Sequence, residues 1–324
     1  MKRRDLLKTA VTLAAASVSA PLLGALDSPN PVIDTHIHLF DPTRAGGVPW
    51  PEKTDTTLYK PSLPTRYRAL AQPHHVIGAI AIECSAWMVD NFWLQNVVEH
   101  DPIMLGFIGD LEPGASDFAA TMDVLHRSPF FFGIRYGNLW NRDLGSSAQN
   151  PDFRAGLKLL AQNGLVLETA NPDAALIAAV LNVTDRVPDL RIVIDHLPHA
   201  KIPDEASARS AFEANLRELS HRPNVFVKGS AIVRSEAGQI QFDVGYYKAV
   251  LDQMWELFGE DRIFFGSDWP NSDSTANYDD TFRVAKSYIA TRSPAAERKY
   301  FWKNSLAVYR WQPRTAEQSR LFSS

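Results

Sequence analysis

The chain has 324 residues, of which 45% are hydrophobic and 22% are charged, and this composition is that of an ordinary globular protein. Disordered chains contain fewer apolar residues, and collagens contain far more glycine and proline. The formal net charge is -4, so the chain lacks the strongly basic surface that non-specific nucleic-acid binding requires. Its single cysteine, Cys84, excludes an intrachain disulfide and a zinc site built from cysteines.

Residues 1–25 are predicted to be an export signal. A cationic start that contains Arg3 and Arg4 precedes an uncharged stretch, residues 9–26, that is rich in Ala and Ser and contains Pro21. The paired arginines resemble the twin-arginine signal and would direct the protein to the periplasm. A general secretory signal or a retained anchor helix are the alternatives, but a stretch this short and interrupted makes a poor membrane span, so no stable membrane anchor is expected.

Eight short apolar segments rich in Val, Ile and Phe recur after residue 31, and each is followed by a polar turn. Most are separated by stretches with the spacing of amphipathic helices. The predicted strands are 32–38, 76–83, 103–110, 130–135, 165–168, 191–196, 224–228 and 262–268. The predicted helices are 91–100, 115–127, 151–162, 172–187, 206–221, 244–258 and 278–290, with a closing helix at 293–310.

Alternation of strands and helices predicts a parallel sheet, and eight such units at this length predict a single α/β domain, a (β/α)8 TIM barrel over residues 31–310. An open, doubly wound sheet is the alternative, but the first strand is not followed by the Gly-x-Gly-x-x-Gly loop typical of that fold. The long, Pro-rich excursion at 39–75 could cover the mouth of the barrel. Residues 311–324 are expected to form a loose polar tail.

Every predicted strand ends in an ionisable residue, and in a barrel these ends meet at the face that carries the active site. Charged groups are rarely buried without partners, so a ring of such residues predicts a polar site. For any single member the alternative is a structural salt bridge or a strand-end cap. The strand-end residues are His36 and His38, Glu83, Asp110, Arg135, Glu168, His196, Lys228 and Asp268.

Three histidines and one aspartate form the candidate reaction centre. Strand alternation would place Asp34, His36 and His38 on one face, and His196 and Asp268 arrive at the same end from two other strands. Three imidazole nitrogens and a carboxylate suit zinc, and iron or manganese nearly as well, so one divalent ion is expected, with zinc favoured. A mechanism without metal is the alternative: Asp268 would take a proton from water while the histidines donate hydrogen bonds to an oxyanion.

Charged and aromatic residues near the strand ends suggest a small substrate that is anionic or a lactone. Arg135 and Lys228 would hold a carboxylate or a lactone oxygen, unless each pairs with a carboxylate of the protein. Glu83 is a further candidate for contact with the substrate. Tryptophans that follow strands would offer apolar faces to a ring-shaped substrate, or else pack the loops. They are Trp50, Trp87, Trp140 and Trp269.

Five motifs resemble the amidohydrolase superfamily, and most closely its amidohydrolase-2 branch. They occur in family order across residues 31–310, and they are Ile33-Asp34-Thr35-His36-Ile37-His38 with Leu39-Phe40-Asp41-Pro42, Gly133-Ile134-Arg135, Ile194-Asp195-His196-Leu197, Val227-Lys228-Gly229-Ser230 and Phe265-Gly266-Ser267-Asp268-Trp269-Pro270. The resemblance implies a hydrolase that opens lactones of sugar acids or of pyrone and muconolactone carboxylates. It also implies that the paired histidines, His196 and Asp268 surround the reacting atoms, with Asp268 activating water.

The resemblance leaves the metal content open, because the branch contains both single-metal and metal-free enzymes. Arg135 and Glu168 stand where two-metal members carry a carboxylated lysine and a histidine, so a two-metal site is not expected. A metal-dependent decarboxylase of an aromatic or unsaturated acid is the nearest alternative function. A catalytically silent periplasmic binding protein is the second, and the oligomeric state stays open.

Overall fold

The structure is a computed structural model that describes residues 30–236 and 238–323. Eight parallel strands form one sheet in which the strands follow one another in chain order. They are β1 (Val32–Ile37), β2 (Val76–Ile82), β3 (Met104–Gly109), β4 (Phe131–Arg135), β5 (Val166–Thr169), β6 (Arg191–Ile194), β7 (Val225–Ser230) and β10 (Ile263–Gly266). Two short strands, β8 (Ser235–Glu236) and β9 (Gln239–Ile240), form an antiparallel hairpin in the loop after β7.

Helices cover the outside of this sheet and connect its strands. They are α1 (Pro64–Ala71), α2 (Val89–His100), α3 (Phe118–His126), α4 (Leu144–Ser147), α5 (Pro151–Gln162), α6 (Ala174–Arg186), α7 (Ala206–Ser220), α8 (Val244–Phe258), α9 (Tyr278–Ile289), α10 (Pro294–Arg298), α11 (Asn304–Tyr309) and α12 (Ala316–Arg320). Helix α1 lies inside the excursion that the sequence suggested was a long loop. Only Pro64, Tyr67 and Ala71 of its eight residues are buried, so its apolar pattern is short.

The first strand closes the sheet against the last, so the molecule is the predicted (β/α)8 barrel and not an open sheet. A backbone bridge pairs Ile37 with Trp269. The N–H of Asp268 donates to the carbonyl oxygen of His36 at 2.8 Å, and the N–H of His38 donates to that of Trp269 at 2.7 Å. Closure therefore brings two candidate catalytic segments into direct backbone contact.

Residue 34 faces a different direction from the one that strand alternation predicted. The register of β1 against β2 shifts between Asp34 and Ile37, and such a bulge reorients the side chains beyond it. The Asp34 carboxylate accepts hydrogen bonds from the hydroxyls of Tyr67 and Tyr278, at 2.9 and 3.0 Å, and from the N–H of Ser267 at 2.8 Å. Asp34 thus joins β1 to the end of β10, while only the two histidines turn towards the mouth.

The C-terminal segment is packed beneath the barrel, and the expectation of a loose tail is wrong. Trp311 is fully buried in the apolar cluster inside the barrel, together with Leu321. The amide of Gln318 donates to the carbonyl oxygens of Ile77 and Pro102, at 2.8 and 3.0 Å. These groups lie where β2 and β3 begin, so the segment covers the end of the barrel opposite the mouth.

The predicted export signal, residues 1–25, lies outside the described residues. Among the residues that the structure does describe, no helix combines the length and the apolar character needed to cross a bilayer.

Candidate active site

Three histidine nitrogens converge on one carboxylate oxygen at the mouth of the barrel. Asp268 Oδ1 lies 3.3 Å from His38 Nε2, 3.5 Å from His36 Nε2 and 3.7 Å from His196 Nε2. The histidines come from the end of β1 and the turn after β6, and the aspartate follows β10. The structure therefore brings together all four residues of the predicted reaction centre.

The other nitrogen of each imidazole is held by the protein. His38 Nδ1 donates to the carbonyl oxygen of Ile82 at 3.0 Å, so a neutral His38 presents the lone pair of Nε2 to the centre. His196 Nδ1 lies 2.8 Å from the hydroxyl of Ser230, at the end of β7. Partners of this kind fix ring orientation in metal and acid–base sites alike.

His36 Nδ1 lies between a donor and an acceptor. Lys228 Nζ is 3.2 Å away and Asp195 Oδ1 is 3.6 Å away. With its proton on Nδ1, facing Asp195, His36 presents the lone pair of Nε2 to the centre. With its proton on Nε2, it can donate to Asp268. The same ring therefore serves either of the two mechanisms that the sequence left open.

Two of the eight described non-glycine residues with a left-handed backbone are the residues predicted to be catalytic. His196 and Asp268 have φ values of 53° and 64°, in the left-handed region that costs an L-residue about 1–2 kcal/mol. Strain of this kind persists where the surrounding structure enforces it, and it clusters at functional sites. The Asp268 side chain is further oriented by Asn271, whose amide donates to Oδ2 at 2.8 Å.

Glycine at position 266 allows the close approach of β10 to β1 at the site. A Cβ atom built on Gly266 would lie 2.6 Å from the Cβ of His36 and 3.3 Å from that of Ser230. Any larger residue would therefore displace His36 or Ser230. Displacing Ser230 would also disturb His196, whose Nδ1 lies beside the Ser230 hydroxyl. The motif around Asp268 thus has a packing role as well as a chemical one.

The electrostatics of the centre favour neutral imidazoles around an ionised carboxylate. Burial lowers the pKa of both His36 and His196, so both rings are uncharged at pH 7. Burial alone would raise the pKa of the Asp268 carboxyl. The facing imidazoles of His196, His38 and His36 take up a proton before the carboxylate does, and their positive charge then outweighs burial and holds that pKa well below its usual range. Asp268 is therefore a carboxylate at pH 7.

This donor set fits one divalent metal ion. Zinc bonds of about 2.0–2.1 Å in a tetrahedron put ligand atoms about 3.3–3.4 Å apart. The distances from the imidazole Nε2 atoms to Asp268 Oδ1, 3.3–3.7 Å, are close to this value. Ligand atoms of His36, His196 and Asp268 lie within 4.8 Å of one another. Within the described part of the chain, the buried atoms His36 Nε2 and Asp268 Oδ1 have no hydrogen-bond partner. Nitrogen and oxygen donors in this number do not select zinc over iron or manganese.

Lys228 is not available to a substrate, contrary to the expectation from its strand-end position. Its side chain is fully buried inside the barrel, where Nζ donates to Glu168 Oε2 at 2.6 Å and lies 3.1 Å from Asp195 Oδ1. Burial, together with the charge of Asp195, raises the pKa of Glu168. Lys228 thus balances carboxylates of the protein, which is the alternative that the sequence left open.

Arg135 reaches the cavity wall, but it is already paired. Its Nε donates to Glu83 Oε1 at 2.7 Å and its Nη2 donates to the Glu83 carbonyl oxygen at 2.6 Å. Glu83 also accepts from Trp140 Nε1 at 3.1 Å, and it does not line the large cavity. Glu83 therefore positions Arg135 and Trp140, and its contact with the substrate stays a prediction.

Trp269 does not line the cavity either. Its side chain is fully buried behind the mouth, with its ring 5.4 Å from that of Tyr67 and 5.0 Å from the guanidinium carbon of Arg66. Trp50 and Trp140 are the tryptophans that do line the cavity, whereas Trp87 does not. The position of a tryptophan after a strand thus failed to distinguish substrate contact from packing.

The mouth opens into a cavity of about 660 Å³ that also contains His38, His196 and Asp268. Several polar residues of its wall were not singled out by the sequence, because they stand in loops without a motif. They are Asn138, Asn171, Asp173, Lys201, Ser272 and Thr275. His199, one turn after His196, also lines the cavity, as its place after the sixth predicted strand indicates.

Known proteins share both the sequence pattern and the fold. The L-fucono-1,5-lactonases of Burkholderia multivorans and Burkholderia ambifaria are 26% and 29% identical to this chain, over 286 and 254 residues. The alignments cover 85% and 76% of this chain, and 94% and 83% of the two relatives. An amidohydrolase from Burkholderia multivorans, crystallised with bound zinc, has the same fold, with a TM-score of 0.75 at 22% identity over 87% of this chain and 100% of that one.

A family model described as amidohydrolase (Amidohydro_2) matches residues 33–311. That range contains every residue of the converging centre and nearly all of the described barrel. The chain therefore belongs to the amidohydrolase-2 family.

Proposed function

We propose that this hydrolase opens the ring of an uncharged, hydroxylated lactone derived from a sugar acid. Family membership and the two curated relatives support a lactonase-like hydrolase. The observation that carries the proposal is the convergence of three imidazole nitrogens on Asp268 Oδ1 within 3.7 Å, at the floor of a large open cavity.

The charge distribution of the cavity argues against a substrate with several carboxylates. Arg135 is paired with Glu83 and Lys228 is enclosed by Glu168 and Asp195, so a carboxylate of the protein already balances the charge of each cation. Lys201 is the cavity cation without a carboxylate partner within 4.0 Å among the described residues, and Asp173 lies on the same wall. Amides and hydroxyls supply the rest of the polar wall, and such groups suit the hydroxyls of a sugar.

Asp268 is the residue that we assign to proton transfer. Its carboxylate is ionised, and Asn271 holds Oδ2 while Oδ1 faces the centre. Asp268 accepts a proton from the attacking water and returns it to the ring oxygen that leaves. His196, when its Nδ1 accepts from the Ser230 hydroxyl, donates from Nε2 to the carbonyl oxygen of the lactone. A divalent ion held by His36, His196 and Asp268, with His38 beside Asp268, would polarise the carbonyl and acidify water.

Trp50 and Trp140 form apolar parts of the cavity wall and are placed to cover the faces of a six-membered ring. This arrangement matches a compact cyclic substrate better than an extended one.

The decisive experiment combines a panel of lactones with a variant in which an uncharged amide replaces the Asp268 carboxylate. Lactone hydrolysis forms an acid, so a pH indicator should report turnover of neutral six-membered sugar lactones, including L-fucono-1,5-lactone, and little turnover of a dicarboxylated lactone. Asp268→Asn should lower kcat by about 10³-fold or more, because the proton acceptor is lost.

Asp273→Asn is the matched control, because this nearby carboxylate pairs with Arg66 at 2.8 Å and does not line the cavity. It should keep activity within a few-fold of wild type. Release of CO2 from an aromatic acid without lactone turnover would replace the proposal with the decarboxylase. Tight lactone binding without turnover would favour a binding protein.

We propose, in addition, export to the periplasm by the twin-arginine route. The support is the sequence of residues 1–25 alone, in which Arg3 and Arg4 precede an uncharged stretch. The double variant Arg3→Lys with Arg4→Lys should leave the full-length precursor in the cytoplasm, as judged by fractionation and mass. Undiminished export of that variant would favour the general secretory route.

A further inference from the structure

A second cluster of polar side chains shares His36 with the Asp268 group. His36, Glu168 and Asp195 each offer one ligand atom, and these atoms lie within 4.8 Å of one another. All three residues are fully buried. An imidazole and two carboxylates at this spacing form a donor set that suits a divalent cation.

The ammonium group of Lys228 stands in the middle of this second cluster. Its Nζ atom lies 2.6 Å from Glu168 Oε2, 3.1 Å from Asp195 Oδ1 and 3.2 Å from His36 Nδ1. The other oxygen of Glu168 accepts a hydrogen bond from the hydroxyl of Tyr309 at 2.5 Å. The lysine therefore contacts each member of the donor set and leaves no room for an ion among them.

The surroundings of Asp195 show that the centre of this cluster requires a positive charge. Within the described residues, neither of its oxygens has a hydrogen-bond partner, although the side chain is fully buried. Two cations balance its negative charge. Lys228 Nζ lies 3.1 Å from Oδ1, and Arg135 Nη1 lies 3.9 Å from Oδ2. A buried carboxylate without a cation would be strongly unfavourable.

We propose that the Lys228 ammonium is a tethered cation that fills an inner cation position of the barrel, so that the protein binds at most one divalent ion, at the outer position beside Asp268. The inner position uses His36, Glu168 and Asp195, and the outer position uses His36, His196 and Asp268. Because both share His36, a fixed charge at the inner position also orients that ring. This inference does not depend on the identity of the substrate.

Two substitutions of Lys228 distinguish the effect of its positive charge from the effect of the volume that its side chain fills. Lys228→Ala removes the ammonium and opens the inner position, while Lys228→Met removes the ammonium but fills the space with an uncharged chain of similar length. Each protein is dialysed against Co²⁺, and the ions per chain are counted by elemental analysis, with the visible absorption of Co²⁺ as a second readout. Melting is followed with and without propylammonium, which can replace the missing side-chain amine.

Wild type should bind no more than one Co²⁺ per chain, Lys228→Ala should gain one, and Lys228→Met should gain none. Propylammonium should raise the Tm of Lys228→Ala by about 2 °C or more and leave that of Lys228→Met unchanged. Two ions in the wild type would overturn the proposal, and so would a Lys228→Ala protein that gains neither an ion nor stability. If Lys228→Ala is recovered unfolded, refolding must succeed with Co²⁺ or propylammonium, and failure with both contradicts the proposal.

These readouts are counts and melting temperatures, so they are independent of lactone turnover. If the protein does not hydrolyse the proposed lactones, these readouts are unchanged. If Lys228 does not fill a cation position, the role assigned to Asp268 is likewise unaffected.

Discussion

The same strands form both ends of the barrel, but the two ends differ in how their polar side chains are hydrogen-bonded. At the closed end, Gln318 donates to two carbonyl oxygens and accepts from the N–H groups of Arg314 and Thr315, at 2.6 and 3.1 Å. At the mouth, the facing buried atoms His36 Nε2 and Asp268 Oδ1 have no hydrogen-bond partner among the described residues. The first arrangement is typical of stability and the second of a site that binds something.

The largest expected effect on stability comes from the closed end. Trp311 is fully buried, its Nε1 donates to the hydroxyl of Ser305 at 3.1 Å, and its ring lies 5.5 Å from that of Phe322. Trp311→Ala should reduce the free energy of unfolding by about 3–5 kcal/mol, because it leaves a large cavity. Urea unfolding measures this loss, and the kcat and KM of the folded fraction should stay at wild-type values.

A loss below about 1 kcal/mol for Trp311→Ala would show that the C-terminal segment does not stabilise the barrel. If Trp311→Ala loses turnover but keeps wild-type stability, the assignment of stability to the closed end and of activity to the mouth is wrong.

An intermediate effect is expected at Gly266, where packing and chemistry meet. Gly266→Ala places a Cβ 2.6 Å from that of His36, so the ring must move. Turnover should fall by about 10–100-fold, since small displacements of reacting groups are costly, and the free energy of unfolding should fall by about 1–3 kcal/mol. Both are measured on the purified variant by steady-state kinetics and urea unfolding.

Gly145→Ala is the control for Gly266→Ala, because a Cβ at residue 145 would approach no atom closer than 3.4 Å. It should leave both turnover and stability near wild type. Full activity in Gly266→Ala would mean that the position of His36 tolerates displacement.

The smallest expected effect is a pH dependence that originates at the mouth. Burial, followed by the nearby His196 and Arg234, lowers the pKa of His199 to about 4. The unfolded chain, with an ordinary histidine pKa near 6.5, therefore takes up protons first as the pH falls. This contribution to stability is present above about pH 6.5 and is lost progressively towards pH 4.

His199→Asn removes that group and should flatten the pH dependence of stability. Between pH 7 and pH 5 the wild type should lose about 1 kcal/mol more than the variant. Urea unfolding at the two pH values gives the difference, and equal losses in the two proteins would show that His199 titrates normally.

Part of this molecule was readable from the sequence because it depends on local patterns. Alternating apolar segments and helical spacing predicted the eight barrel strands, and polar strand ends identified His36, His38, His196 and Asp268. Helix α1 was missed, because only three of its residues are buried and the apolar spacing is correspondingly short. The bulge in β1 was missed too, since a change of register leaves no mark in the order of residue types.

The sequence by itself determined the family, the barrel and the residues that surround the reaction centre, because strand order in a parallel barrel fixes which chain segments meet at the mouth. Only the tertiary structure decided the partners of each side chain. Lys228 and Arg135 stand at strand ends like Asp268, yet carboxylates from other strands neutralise both. Trp311 follows the last helix of the predicted barrel, yet it is buried beneath the strands. Charge pairing and burial depend on distances between residues far apart in the chain, and those distances exist only once the barrel has closed.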